Sequence, residues 1–126
     1  MTQLHTILLR LARNPEAGFP NGDESRGYRL IAPLTKDGLL DVDEWRRLKE
    51  RCTVDRLSPE ANERADGWLS HRGSHWFFRY DEEEEGPDEP VFRLGEHKLV
   101  TGEYVTIHEA DAASLVYRVA EATPIK

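Results

Sequence analysis

The sequence predicts a mainly β protein, either a small antiparallel barrel or a strongly curved sheet, with one α-helix at about residues 42–52. Short segments rich in β-branched and aromatic residues follow one another closely, as they do in antiparallel sheets and barrels. Only one segment carries clear helix signals, whereas a parallel α/β fold would need several helices. The 126 residues fit one domain, 1–126, with a single modest core.

The first apolar segment fits two kinds of secondary structure. Its apolar residues recur at helical spacing from Leu4, and they also occupy alternate positions from His5 onwards. Periodicity alone therefore leaves residues 3–13 open between helix and strand. After a loop that is marked by proline and glycine, YRLIAPL (28–34) predicts a strand that stops near Pro33.

The predicted helix is DVDEWRRLKERC, which begins with the pattern of a capping box. Asp41 can accept hydrogen bonds from the free amides of the first turn, and Glu44 follows three residues later. Trp45, Leu48 and Cys52 form a narrow apolar stripe at helical spacing. We therefore expect this stripe to attach the helix to one side or one end of the sheet.

The rest of the chain is mostly β in character. Further strands are predicted at 53–57, 67–72, 75–81, 90–94, 97–100, 103–108 and 114–122. Segments 103–108 and 114–120 each place apolar residues at alternate positions, and the sequence EADAA joins them. These two segments predict a β-hairpin.

The stretch HRGSHWFFRY contains two histidines four positions apart and predicts a second hairpin, whose register has two alternatives. A three-residue loop would place His71 opposite His75 on one face, where the pair could hold a metal. A two-residue Gly73-Ser74 turn would pair His71 with Trp76 and place the two histidines on opposite faces. We favour the two-residue turn, because Gly-Ser suits a type II′ turn and this register separates apolar from polar side chains better.

The favoured register defines two faces of this hairpin. One face carries Leu69, His71, Trp76, Phe78 and Tyr80, and the other carries Trp68, Ser70, Arg72, His75, Phe77 and Arg79. The second face mixes aromatic rings with arginine and histidine, a composition that suits a protein interface or a stacking surface. The predicted ligand-binding residues are Trp68, Arg72, His75, Phe77 and Arg79, and no catalytic residue is predicted.

Acidic residues are concentrated in DEEEEGPDEP (81–90), which holds seven of the 24 in the chain. The other 17 balance the 17 lysines and arginines, so the net charge of −7 comes from this segment. We predict a flexible, solvated loop at 81–90, because like charges repel; the alternative is an electrostatic contact with a basic partner. The rest of the chain has no basic stripe, which disfavours nucleic-acid binding.

The familiar catalytic and cofactor motifs are missing from the sequence. It has no G-x-S-x-G nucleophile elbow, no Walker sequence and no G-x-G-x-x-G loop. Cys52 is the only cysteine and cannot form an internal disulfide, and the N-terminal apolar segment is too short to span a bilayer. We therefore expect a cytoplasmic protein without a cofactor or a membrane anchor. The sequence indicates no oligomeric state.

Several motifs recur together in an order that resembles a family of small uncharacterised bacterial proteins. They are an LHT-type opening strand, a GY…APL strand, an L-D-x-x-x-W helix ending near Cys52, a WL-H…G…W hairpin and a GEYVTI…YRV hairpin. The resemblance covers most of the chain and implies a strand at residues 3–13. It implies no activity, cofactor or catalytic residue.

The leading functional hypothesis is a non-enzymatic binding module that uses the 68–80 hairpin surface and neighbouring loops to bind a protein partner or a small ligand. The first alternative is a metal-binding protein or metal-dependent hydrolase that uses His71, His75 and either His97 or His108. These histidines lack the spacing of a known metal motif. The second alternative is single-stranded nucleic-acid binding, since barrels combine aromatic platforms with positive grooves. The overall charge disfavours it.

Overall fold

The described residues form an eight-stranded antiparallel barrel. The computed structural model describes residues 3–60, 65–72, 75–79, 89–92, 98–108 and 114–125. Within them, the strands are β1 (Gln3–Leu11), β2 (Asp23–Leu34), β3 (Thr53–Leu57), β4 (Ala65–Arg72), β5 (His75–Arg79), β6 (Glu89–Phe92), β7 (Tyr104–His108) and β8 (Ser114–Pro124). Neighbouring strands in the chain pair with each other, and β1 also pairs with β8 to close the barrel. The predicted fold class is confirmed.

The core lies inside the barrel, because the strands with described side chains turn alternate apolar residues inward. Tyr28, on β2, is fully buried at the centre of this core. Its ring centroid lies 4.9 Å from that of Phe78 on β5 and 5.2 Å from that of Tyr117 on β8. Aromatic contacts therefore connect strands that are far apart in the sequence.

The N-terminal segment is a strand, as the resemblance implied, and it ends at Leu11. β2 ends at Leu34, next to Pro33 as predicted, but it begins earlier than predicted, at Asp23. The pairing of β2 with β3 covers only residues 27–30, so Pro33 lies beyond it, where no amide donor is needed on that side. The carbonyl of Pro33 instead accepts the backbone N–H of Asp41, at 3.1 Å.

Among the described residues, the only α-helix is α1 (Val42–Leu48). A 3-10 turn (Lys49–Arg51) follows it directly. The α-helix is therefore shorter than the predicted 42–52. Asp41 caps it as predicted, by accepting the N–H of Glu44 at 3.1 Å. The backbone N–H of Asp41 donates to the carbonyl of Pro33, and the Glu44 carboxylate pairs with Arg47 at 2.7 Å.

One predicted strand is wrong in its described part. Residues 98–100 of the predicted strand 97–100 are not in a strand; the N–H of Leu99 donates to the carbonyl of Gly38, and the Leu99 side chain is buried. The hairpin of β7 and β8 is confirmed, with His108 paired to Ser114. The other strand predictions hold wherever residues are described, except that Glu103 precedes β7. Most of the predicted acidic loop, 81–88, lies outside the described residues.

Candidate binding groove

The register of the β4–β5 hairpin answers the question of its loop length. Arg72 pairs with His75, and His71 pairs with Trp76, so two residues connect the strands, as favoured from the sequence. Because backbone positions alternate between faces, His71 and His75 occupy opposite faces of the hairpin. The turn type, at residues 73–74, lies outside the described residues.

The two faces of the hairpin differ in burial in the predicted way. Leu69, Trp76 and Phe78 are buried inside the barrel. The outward positions with described side chains are all partly exposed, and they are Trp68, Ser70, Phe77 and Arg79. The barrel therefore presents two half-buried aromatic rings and an arginine together on its outer surface.

Helix α1 packs along the edge of β4, where β4 extends past the start of β3. The N–H of Leu69 donates to the carbonyl of Cys52, at 2.9 Å, immediately before β3 begins. The carbonyl of Leu69 accepts the indole N–H of Trp45 at 2.9 Å. The Trp45 ring also packs edge-on against Trp76, at 5.6 Å, and against His71, at 5.8 Å. Trp45 thus attaches the helix to the part of β4 that β3 does not cover.

A groove of about 310 Å³ lies between the helical segment and the outer face of the hairpin. It is lined by Trp45, Lys49, Glu50, Trp68, Leu69, Ser70, His71, Phe77 and Arg79. We call this feature the hairpin groove. Trp68, Phe77 and Arg79 were predicted from the sequence as ligand-binding residues, and the structure brings these three together.

The other two predicted site residues, Arg72 and His75, stay predictions. Arg72 and His75 form the last pair of the hairpin, and their side chains lie outside the described residues. The lining residues Lys49 and Glu50 were missed, because the position of the helical segment against β4 depends on distant contacts. The sequence signal that could have placed the helical segment against β4 was Trp45, the aromatic residue of the helix stripe.

The lining of the hairpin groove combines apolar and charged groups. Trp68 and Phe77 provide aromatic surface, while Lys49 and Arg79 provide two positive charges against the one negative charge of Glu50. The ammonium of Lys49 lies 5.8 Å from the centre of the Trp45 ring, a cation–π distance. This lining is complementary to a ligand with an apolar body and an acidic group.

Metal chemistry finds no support in the described part of the chain. No group of three or more His, Cys, Asp and Glu side chains there is close enough to hold a metal ion. His97 and the side chains of His75 and His108 lie outside the described residues, so the metal hypothesis stays a prediction. No helix in the described ranges is long and apolar enough to cross a membrane.

Comparison of the chain with models of protein families, with curated proteins and with solved structures found no match.

Proposed function

We propose that this chain is a non-catalytic binding module whose hairpin groove takes a compact ligand with a flat apolar body and an acidic group. One observation carries the proposal: two partly exposed aromatic rings, Trp68 and Phe77, line a single groove with the cations Arg79 and Lys49. Aromatic walls with a few charged groups are typical of sites that bind small organic ligands.

The size of the hairpin groove favours a small ligand over a protein partner. Its volume of about 310 Å³ is near the lower end of small-molecule pockets. A stable protein interface buries about 800 Å² on each partner, so a protein would need contacts that extend well beyond this groove. A protein partner was the other ligand expected from the sequence, and the experiment below treats it as the competing outcome.

The arrangement of the polar groups supports binding without catalysis. Ser70 and His71 are successive residues of β4 that both line the hairpin groove, and their side chains leave the strand on opposite faces. The His71 ring packs 4.5 Å from the Trp76 ring, between centroids. The Cys52 thiol is fully buried, and burial raises its pKa to about 11, so it is protonated at neutral pH.

A ligand-observed NMR screen of aromatic carboxylates and their uncharged amide analogues tests the proposal. We expect carboxylates to bind more tightly than the matching amides. Phe77→Ala should weaken the best fragments about tenfold, which corresponds to about 1.4 kcal/mol. Arg79→Gln should reduce the preference for the carboxylate over the amide.

Matched controls separate loss of binding from a general change in the surface. Leu8→Ala removes a partly exposed apolar side chain from β1, and Arg29→Gln removes an outward arginine from β2; neither lines the hairpin groove. Both controls should bind fragments like the unmodified protein. The proposal fails if no fragment binds the folded protein, or if the groove variants and the control variants lose affinity equally. A protein partner found to need Phe77, with no fragment bound, would favour the competing outcome.

A further inference from the structure

A second depression lies where the end of β1 and the start of β2 meet β7 and β8. Its volume is about 550 Å³, and it shares no lining residue with the hairpin groove. It is lined by Arg10, Leu11, Ala12, Arg13, Asn21, Asp23, Glu24, Tyr104, Val116 and Arg118. We call it the arginine depression, because three arginines contribute to it.

Two of these arginines face each other across neighbouring strands. Arg10 on β1 pairs directly with Arg118 on β8, and both side chains are partly buried. Like charges at directly opposite positions of a sheet destabilise it. The side chains of Arg118 and Arg13 make no hydrogen bond or ion pair with any other residue in the described ranges. The described part of the fold therefore holds positive charges together that it does not itself neutralise.

The acidic residues beside the arginines do not cancel this charge. Asp23 accepts hydrogen bonds from the N–H and hydroxyl of Ser25 and from Arg26, and these bonds lower the pKa of its carboxyl group. Its charge is already paired with Arg26 at 3.2 Å. Glu24 is exposed, and the guanidinium of Arg10 binds its backbone carbonyl, not its carboxylate. Three guanidinium groups thus face one unpaired carboxylate, in a chain whose net charge is −7.

The backbone around the arginine depression is held in place by hydrogen bonds. The buried amide of Asn14 donates to the carbonyls of Ala12, at 2.8 Å, and Val116, at 3.0 Å, and accepts the N–H of Val116 at 2.9 Å. Gly22 has a φ of 75° and packs against the backbone of Leu11. A Cβ at this position would lie 2.6 Å from the carbonyl oxygen of Leu11. The segment that carries Arg13 is therefore preorganised, which lowers the entropic cost of binding.

An exposed aromatic ring completes the arginine depression. Tyr104 on β7 pairs with Arg118, and 54% of its surface is exposed. Among the described residues, it is the more exposed of the two large apolar residues that lie on the surface. We propose that the arginine depression binds an organic phosphate: Arg10, Arg13 and Arg118 bind the phosphate group, and a planar ring of the ligand stacks on Tyr104. Several guanidinium groups suit a dianionic phosphate, because each offers paired N–H donors.

Phenyl phosphate, inorganic phosphate and phenol are the probes for this site, and two-dimensional NMR titration is the measurement. We expect phenyl phosphate to bind at least threefold more tightly than inorganic phosphate, and phenol to cause no saturable shift. The shifts should centre on the amides of Tyr104 and Arg118. Raising the salt concentration should weaken both phosphates, because the contact is largely electrostatic.

Variants assign the two parts of the ligand to the two parts of the site. Arg118→Gln should weaken the binding of both phosphates about tenfold. Arg13 lies on the exposed segment after β1, and Arg13→Gln should have the same effect. Tyr104→Leu should reduce the affinity for phenyl phosphate to that for inorganic phosphate. Arg46→Gln is the matched control, because Arg46 is an exposed arginine on α1 that lines neither the arginine depression nor the hairpin groove.

A urea unfolding curve of Arg118→Gln separates binding from folding. Its midpoint should be unchanged or higher, because the substitution removes a repulsion between like charges. The proposal is overturned if Arg46→Gln weakens binding as much as Arg118→Gln, since the attraction would then be nonspecific. It is also overturned if the arginine variants retain full affinity, or if phenyl phosphate binds no better than inorganic phosphate.

Discussion

Cys52 illustrates how burial alone decides the chemistry of a residue. Its side chain is fully buried after the 3-10 turn, and the thiol donates to the carbonyl of Leu48 at 3.4 Å. Desolvation raises the pKa of the thiol to about 11, and the nearby positive charge of Arg51 offsets this only in part. The residue therefore contributes packing under the helix, as the helix stripe predicted, and is not a reactive thiolate at neutral pH.

The raised pKa of Cys52 predicts a loss of stability in alkali. Above the ordinary pKa of 9.0 the unfolded chain loses the thiol proton, while the folded chain keeps it until about pH 11. The stabilising contribution is therefore complete below about pH 9 and is lost as the pH rises through 11. It amounts to roughly 3 kcal/mol, from about 1.4 kcal/mol for each of the two pKa units.

Urea unfolding between pH 8 and 11 measures this effect, with Cys52→Ala as the reference that lacks the thiol. The free energy of unfolding should fall more steeply with pH in the unmodified protein than in Cys52→Ala. Lysines and tyrosines titrate in both proteins, so only the difference between them reports on Cys52. Parallel pH profiles would show that the thiol ionises equally in the folded and unfolded chains.

At the scale of the element, short-range signals were enough to predict the helix cap and the hairpin register. Asp41 accepts a hydrogen bond from a residue only three positions away, and the Gly73-Ser74 connection was favoured from ten consecutive residues. The hydrogen bond from Trp45 to Leu69 was not predictable in this way. It joins residues 24 positions apart, and it depends on where the helix packs against the sheet.

The cap of α1 predicts a measurable contribution to stability. Asp41→Ala removes the acceptor for the Glu44 N–H, which is 3.1 Å away, and should lower the free energy of unfolding by about 1 kcal/mol. Asp41→Asn keeps an oxygen acceptor and should cost a few tenths of a kcal/mol, chiefly through the lost charge at the helix N-terminus. Urea unfolding followed by tryptophan fluorescence compares them. Equal losses in both variants would mean that the cap bond does not stabilise the helix.

At the scale of the whole molecule, the sequence predicts the fold class and most strand positions but not how the strands close. Alternating apolar residues indicate that a segment is a strand with one buried face, because that pattern is local. The pairing of β1 with β8 is not local, and it places Arg10 opposite Arg118, 108 positions later. The arginine depression therefore could not be predicted, whereas the aromatic face of the hairpin could, since it lies within one hairpin.

The closed barrel predicts that its interior and its outer surface differ strongly in their contribution to stability. Tyr28 and Arg29 are neighbours on β2, but Tyr28 packs against Phe78 and Tyr117 across the barrel, while Arg29 forms a surface ion pair with Asp55 at 2.7 Å. Tyr28→Ala should cost about 3–5 kcal/mol, through lost burial and a cavity. Arg29→Ala should cost at most about 1 kcal/mol, because exposed ion pairs contribute little.

The same pair of variants tests whether the barrel unfolds as one unit. Tyr28 connects β2, β5 and β8, so its loss should destabilise the hairpin groove and the β1–β8 contact together. Urea curves recorded by far-ultraviolet circular dichroism and by tryptophan fluorescence should coincide in both variants. A fluorescence transition that stays in place while the circular dichroism transition moves would contradict this, because the tryptophans lie at positions 45, 68 and 76, near the groove. The hairpin and helix would then form a separate unfolding unit.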